Sequence, residues 1–378
     1  MNITYLINTL SEGKGIPNRV AALAVRLDEL GESVSIVTFD RGNRELPDTV
    51  GVHEPRLIGS QKLPFRFVSS GKKLFFAVAS HSISREFKKT APQVVCVDYT
   101  PLDIFANSLK NKFGYKVLYT YHGTADPAMY EGAERQKRTD ARLAIHREAA
   151  KADLVMAVSE YTKKELAHAG IDSVVMPNGV DLNFFKPDKT LPNLHKKNPV
   201  LVYVGRYTEH KGVLNMLRAF VKLRKTMPEA MLYMFARHES KPYVAKIRSF
   251  IRESGIDGSV CMFRDIYGEI LPYIYNLGDI FVSGALDETF GMTFVEAAAC
   301  GTPCVAFASK SIPEVVQHEH TGLLSEPGDI DGLAGNMARI LGDKQLRAAF
   351  SKNSVAFAKR YDWGKIAEDL RQTLTRFI

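Results

Sequence analysis

The sequence predicts an α/β protein of two domains, each built on a parallel β-sheet. Three observations carry that expectation. Short apolar runs alternate with longer stretches of helical periodicity from end to end, the pattern of strands joined by crossover helices. The alternation restarts after Pro177-Asn178-Gly179. A chain of 378 residues also leaves room for about two domains, each large enough to bury its own core.

In the first half, apolar runs place strands at residues 3–8, 34–38, 94–97, 116–121, 154–158 and 173–176, most of them followed by apolar residues at helical spacing. In the second half, strands are expected at 200–204, 231–235, 260–263, 280–283 and 303–306. Residues 183–199 hold three prolines and no periodicity, which reads as a connection. The organisation expected is an N-terminal domain over 1–180, a linker over 181–199, a second domain over 200–360 and a final helix over 361–378.

Composition narrows the function classes. With 45% hydrophobic and 24% charged residues the chain is neither disordered nor fibrous. The longest uncharged stretch, 297–309, contains Gly301 and Pro303 and is too short and broken to span a bilayer. Glu12, Lys14 and Arg19 interrupt any secretory-signal core at the start. Four cysteines are too few for a disulfide framework, which points to a reducing, cytoplasmic compartment. The formal charge of +8 is concentrated: residues 60–90 carry Lys62, Arg66, Lys72, Lys73, Arg85, Lys88 and Lys89 against Glu86 alone. Leu63, Phe65, Phe67, Leu74, Phe75, Phe76 and Phe87 are interleaved with them. That segment has two readings, a peripheral contact with an anionic membrane surface or a helix with a solvated basic face and a buried aromatic one. No nucleic-acid motif accompanies the charge.

Open parallel sheets bind ligands beyond the carboxyl ends of their strands, so chemistry is sought in the loops that follow strands. After 200–204 come Gly205-Arg206, then Lys211-Gly212 before a helical stretch. A guanidinium and an ammonium beside a helix N-terminus suit a diphosphate. After 280–283 come Glu288, Phe290, Gly291, Met292 and Glu296. On one helix the two glutamates would differ by about 80° and about 12 Å, so Glu288 is placed in the loop and Glu296 in the helix, where they could hold two ends of one extended ligand such as a nucleotide sugar. In the first domain, His122 follows strand 116–121, where an imidazole could orient a hydroxyl or handle a proton. The loop 11–16, after the first strand, offers Gly13 and Gly15 for a phosphate approach, with Asn18 where a dinucleotide fingerprint would have its third glycine. Cys300 and Cys304 have no nearby His or further Cys, so no metal site is expected.

Together Gly205-Arg206 with Lys211-Gly212, Glu288-x-Phe290-Gly291, Glu296-Ala297, Gly301-Thr302-Pro303, Ile312-Pro313-Glu314-Val315-Val316 and Thr321-Gly322-Leu323-Leu324 resemble the retaining glycosyltransferases of family 4. Ala152-Asp153, Ala157-Val158-Ser159 and Pro177-Asn178-Gly179-Val180-Asp181 extend the resemblance upstream, so that it spans nearly the whole chain.

The resemblance implies the GT-B fold: two Rossmann-like parallel-sheet domains facing across a cleft, with the C-terminal helix crossing back to the N-terminal domain. It implies transfer of a sugar from a UDP- or GDP-sugar to a glycan or lipid-linked acceptor, with retention, without a metal, and with the nucleotide sugar as substrate rather than cofactor. It assigns Arg206 and Lys211 to the diphosphate, Glu288 to sugar hydroxyls, Glu296 to the ribose, the backbone of Phe290-Gly291-Met292 to the donor site, and His122 to the reaction centre. Lys14-Gly15, Ala236-Arg237 and Lys310-Ser311 depart from the family's glycine-rich pattern. The alternatives are a sugar-nucleotide epimerase of the same fold and a catalytically silent nucleotide-sugar binding protein.

Overall fold

The computed structural model describes residues 1–11, 15–55, 73–98, 102–188, 198–236, 240–264 and 268–378. The chain divides into two compact units, Met1–Gly179 together with Trp363–Ile378, and Val180–Asp362.

The first unit contains β1 (Asn2–Ile7), α1 (Gly15–Glu29), β2 (Ser33–Thr38), β3 (Gly51–His53), α2 (Lys73–Thr90), β4 (Val94–Val97), α3 (Leu102–Phe113), β5 (Lys116–Tyr121), α4 (Gly132–Ala149), β6 (Leu154–Ala157), α5 (Glu160–His168) and β7 (Val174–Val175). Its seven strands lie in the order β3-β2-β1-β4-β5-β6-β7, all pairs parallel. β3 is absent from the sequence-based strand set because Gly51-Val52-His53 carries a single strand-forming apolar residue. It pairs only with β2 at the sheet edge.

The second unit contains β8 (Val200–Val204), α6 (Val213–Leu223), β9 (Met231–Ala236), α7 (Lys241–Glu253), β10 (Val260–Arg264), α8 (Leu271–Leu277), β11 (Ile280–Val282), α9 (Met292–Ala299), β12 (Cys304–Phe307), α10 (Ile312–Val315), β13 (Gly322–Ser325), α11 (Ile330–Gly342) and α12 (Lys344–Ala358). Its parallel sheet runs β10-β9-β8-β11-β12-β13. β13 too went unread as a strand, because Leu323-Leu324 is too short an apolar run to register.

The last helix, α13 (Trp363–Phe377), returns to the first unit. Trp363, Ile366, Leu370 and Leu374 fall on one stripe at helical spacing. All four are buried in the core that contains Leu23 and Leu27 of α1 and Ile3, Tyr5 and Ile7 of β1. Burial of side chains of this size stabilises by about 1.5–3 kcal/mol each, which ties the end of the chain to its beginning.

In both units the strand order reverses beside the first strand, between β1 and β4 and between β8 and β11. At such a reversal the crossover helices leave on opposite faces of the sheet, and a crevice opens at the carboxyl ends of the two strands. Of the basic segment 60–90, residues 60–72 lie outside the described residues. From Lys73 onward the chain is α2. Phe87, counted among the aromatics available to a membrane, is fully buried in the core with Phe105 and Tyr115, and belongs to the buried-face reading. Arg85, Lys88 and Lys89 are exposed and Glu86 is buried. Among the described residues no helix is long and apolar enough to cross a membrane.

Candidate functional site

The reversal point of the second sheet gathers most of the candidate residues. β8 and β11 pair in register, Leu201 opposite Ile280 and Val202 opposite Phe281, so the loops that leave them start at the same level. Those loops then meet backbone to backbone. A Cβ at Gly212 would stand 1.7 Å from the Gly284 carbonyl oxygen, and one at Gly284 would stand 2.4 Å from that of Gly212. Gly212 also has a φ of 58°, in the left-handed region that glycine enters without steric cost. Two glycines at the crossing are therefore what lets the loops touch.

The contact brings Lys211 against Glu288, 77 residues apart in sequence. The Lys211 ammonium donates to Glu288 Oε1 at 2.5 Å. Both side chains are largely shielded, 16% and 14% exposed, so the attraction is screened less than that of a surface pair. Arg206 is exposed, donates from Nη2 to His210 Nε2 at 3.1 Å, and has its carbonyl held by the Tyr203 hydroxyl at 3.0 Å.

Glu288 lies in the loop and Glu296 within α9. Gly291 is the residue that starts this helix, at φ 96°. Phe290 is buried, its ring edge-on to Tyr361 at 5.7 Å, so only its backbone is available to a ligand. Met292 opens the helix, where first-turn amides lack intrahelical acceptors and favour negative charge. Glu296 accepts a 2.6 Å hydrogen bond on Oε2 from the buried Tyr275 hydroxyl. Burial, reinforced by the adjacent Glu296 carboxylate, pushes the Tyr275 phenol well above its ordinary range and keeps it a donor. Sequence reasoning missed Tyr275, which reads there as one more apolar position of a short helix.

His122 and Gly15 belong to the other unit. Gly15 opens α1, where an added Cβ would meet nothing within 4 Å. Lys14 lies outside the described residues. His122 follows β5 and donates from Nε2 to Asp98 Oδ1 at 3.0 Å. The same carboxylate oxygen accepts from Arg19 Nε at 3.1 Å. The Arg19 guanidinium continues from Nη1 to the Pro177 carbonyl at 2.9 Å and to Asn178 Oδ1 at 3.1 Å. Arg19 and Asp98 are both 2% exposed in their side chains. Burial pushes the Asp98 carboxyl up, but the His122 hydrogen bond, the Arg19 charge and further help from His122 and Thr120 pull it lower still. An ionised carboxylate can only accept, so Nε2 is the donor in this hydrogen bond and the contact fixes the orientation of the imidazole. Neither Arg19 nor Asp98 was among the sequence candidates. The available signal was an arginine on the stripe of α1 that otherwise carries Val20, Leu23, Ala24 and Leu27, all buried.

No group of three or more His, Cys, Asp or Glu among the described residues is placed to hold a metal ion.

Residues 13–184 match the family described as Glycosyltransferase Family 4, and residues 186–356 match Glycosyl transferases group 1. The chain is 30% identical over 225 residues to a GDP-mannose-dependent alpha-(1-6)-phosphatidylinositol monomannoside mannosyltransferase of Mycolicibacterium smegmatis, covering 55% of this chain and 58% of that protein. It is 25% identical to a phosphatidyl-myo-inositol mannosyltransferase of the same organism, covering 94% and 88%. The chain therefore spans only 58% of the first of these relatives. Its fold matches sucrose-phosphate synthase from Thermosynechococcus elongatus with a TM-score of 0.82 at 22% identity, covering 99% of this chain and 98% of that one. With its two parallel-sheet units and these matches, the chain belongs to the group 1, family 4 glycosyltransferases and has the GT-B fold.

Proposed function

We propose that the protein is a retaining glycosyltransferase that moves a sugar from a UDP- or GDP-sugar to a glycan or lipid-linked acceptor without a metal ion. The observation that carries the reading is the packing of Lys211 against Glu288 where the second sheet reverses, beside the start of α9. Lys211 and Arg206 receive the negative charge that grows on the diphosphate as it leaves, a role fixed cations and helix amides fill without reorganising. Glu288 binds donor-sugar hydroxyls. Glu296, steadied by Tyr275, binds the ribose. The backbone around Phe290, Gly291 and Met292 lines the donor site. His122 has the reaction-centre role that the family resemblance implies.

In the reaction, the acceptor hydroxyl oxygen bonds to the anomeric carbon on the face from which the diphosphate departs. The bond from that carbon to the phosphate oxygen breaks, and the acceptor proton passes to the departing phosphate. Support for a GDP-linked donor and a lipid-linked acceptor comes from the names of the mannosyltransferase relatives. Support for a membrane-surface acceptor comes from the charge of segment 60–90, with Arg85, Lys88 and Lys89 exposed on α2.

The test is a screen of UDP-, GDP- and ADP-sugars for thermal stabilisation and for nucleoside diphosphate release with candidate acceptors. Lys211→Ala and Glu288→Ala are expected to abolish release while the protein stays folded; full turnover in both refutes the assignment. Activity should survive EDTA, and a loss restored by added metal refutes metal independence. NMR of the product should show the donor's anomeric configuration, and an inverted product refutes retention.

A further inference from the structure

The loop that follows β12 meets the loop that carries Glu288 in three successive rungs. Ser309 Oγ donates to the Leu286 carbonyl at 2.8 Å, Lys310 Nζ to Asp287 Oδ1 at 2.6 Å, and Ser311 Oγ to the Glu288 carbonyl at 2.9 Å. The middle rung is ionic and shielded, with the Lys310 side chain 14% exposed and that of Asp287 4%.

Lys310 occupies an unfavourable conformation. Its φ is 52°, and it is one of three non-glycine residues with positive φ among the described residues. A side chain in that region costs on the order of 1 kcal/mol or more, a cost that glycine avoids. The strained backbone sets the ammonium against a carboxylate whose side chain is 4% exposed, where solvent screens the attraction little. Asp287 directly precedes Glu288. The Glu288 residue is thereby held from two directions, its carboxylate by Lys211 and its backbone by the rungs at Asp287 and Ser311.

We propose that Lys310 and Asp287 form a positioning pair that aims Glu288 at the sugar of the donor, so that this chain tunes sugar recognition through a charge pair one residue from the group that binds it. The inference rests on the reading of Glu288 as the residue that binds donor-sugar hydroxyls. The pair acts on the sugar half of the ligand and leaves the nucleotide half alone.

The experiment compares, by calorimetry, affinity for GDP against GDP-mannose and for UDP against UDP-glucose in the unaltered protein and in Lys310→Gly, Lys310→Arg, Asp287→Asn and Glu288→Gln. Lys310→Gly and Asp287→Asn are expected to weaken binding of the nucleotide sugar by about 10–100-fold, the scale of a small misplacement in a site, with affinity for the nucleoside diphosphate unchanged. Lys310→Arg keeps the charge and should restore most of the sugar-dependent part. A Lys310→Gly protein whose preference for nucleotide sugar over nucleoside diphosphate is intact overturns the proposal. Equal loss of both ligands, with a lowered melting temperature, also overturns it, because the pair would then only support the fold. If Glu288→Gln has no effect on the sugar-dependent part, or neither pair of ligands binds the unaltered protein, the Glu288 reading falls and this inference with it. A loss in Glu288→Gln without one in Lys310→Gly leaves that reading standing and removes this inference alone.

Discussion

Replacing Arg19 by Met leaves Asp98 ionised, 2% exposed in its side chain, and without its buried cation. Removing one partner of a buried pair costs about 3–5 kcal/mol, because the other charge stays desolvated and unpaired. Two features of the site place the expected loss near the lower end, about 3 kcal/mol on that scale. One Arg19 nitrogen, Nη2, has no hydrogen-bond partner among the described residues, and Asp98 keeps its hydrogen bond from His122 Nε2. In a unit of roughly 200 residues each kcal/mol moves the melting temperature by about 2–4 °C, so calorimetry should show the first unit melting on the order of 10 °C earlier. The second unit's transition should stay in place. The acid limb must change as well. Asp98 titrates below the usual carboxyl range in the folded protein, so its contribution is present above the unfolded carboxyl range and is lost as pH falls through the folded value. The double change Arg19→Met with Asp98→Leu removes both charges and should recover most of the loss, since apolar replacement of a whole buried pair is often neutral or better. An Arg19→Met protein within about 1 kcal/mol of the original, the range of exposed ion pairs, refutes the argument. A double variant less stable than Arg19→Met alone refutes it too.

Gly212→Ala should destabilise the second unit and remove donor binding, since its Cβ would stand 1.7 Å from a backbone oxygen; Gly335→Ala, exposed in α11 with nothing within 4 Å of the new Cβ, should instead gain up to about 1 kcal/mol. Urea titrations of both measure the contrast. Burial, with Arg142 nearby, lowers the pKa of His146, so folding disfavours its charged form. Stability from keeping it neutral is full above the unfolded value near 6.5 and declines as pH falls towards the folded one. His146→Gln should flatten that part of the pH profile of the first unit's melting temperature. Replacing Lys72, Lys73, Lys88 and Lys89 by Glu should weaken sedimentation with anionic liposomes at low salt, and equal binding would favour a merely solvated basic face.

Much of the architecture was legible locally. The strand runs at 94–97, 116–121 and 200–204 match β4, β5 and β8, because each is an apolar run of strand length bounded by polar residues. Gly51-Val52-His53 and Gly322-Leu323-Leu324-Ser325 were not read as strands, since each becomes one only by hydrogen bonding to a neighbour already in the sheet. The candidate site divides in the same way. Residue types adjacent in sequence, such as the cations after β8 and the glutamates around α9, were visible as motifs. Their partners were not. Tyr275 reaches Glu296, Asp98 reaches both Arg19 and His122, and Lys310 reaches Asp287 only after the sheets have formed.

Sequence by itself determined two restarting α/β rhythms, the loops in which chemistry would lie and the family those motifs resemble, because periodicity and turn chemistry act over a few residues. Only the tertiary structure decided which charges face each other. Lys211 and Glu288 are 77 residues apart, and Arg19 and Asp98 are 79 apart. What brings each pair together is the order of strands in its sheet and, for Lys211, the crossing of Gly212 and Gly284, which no local pattern encodes.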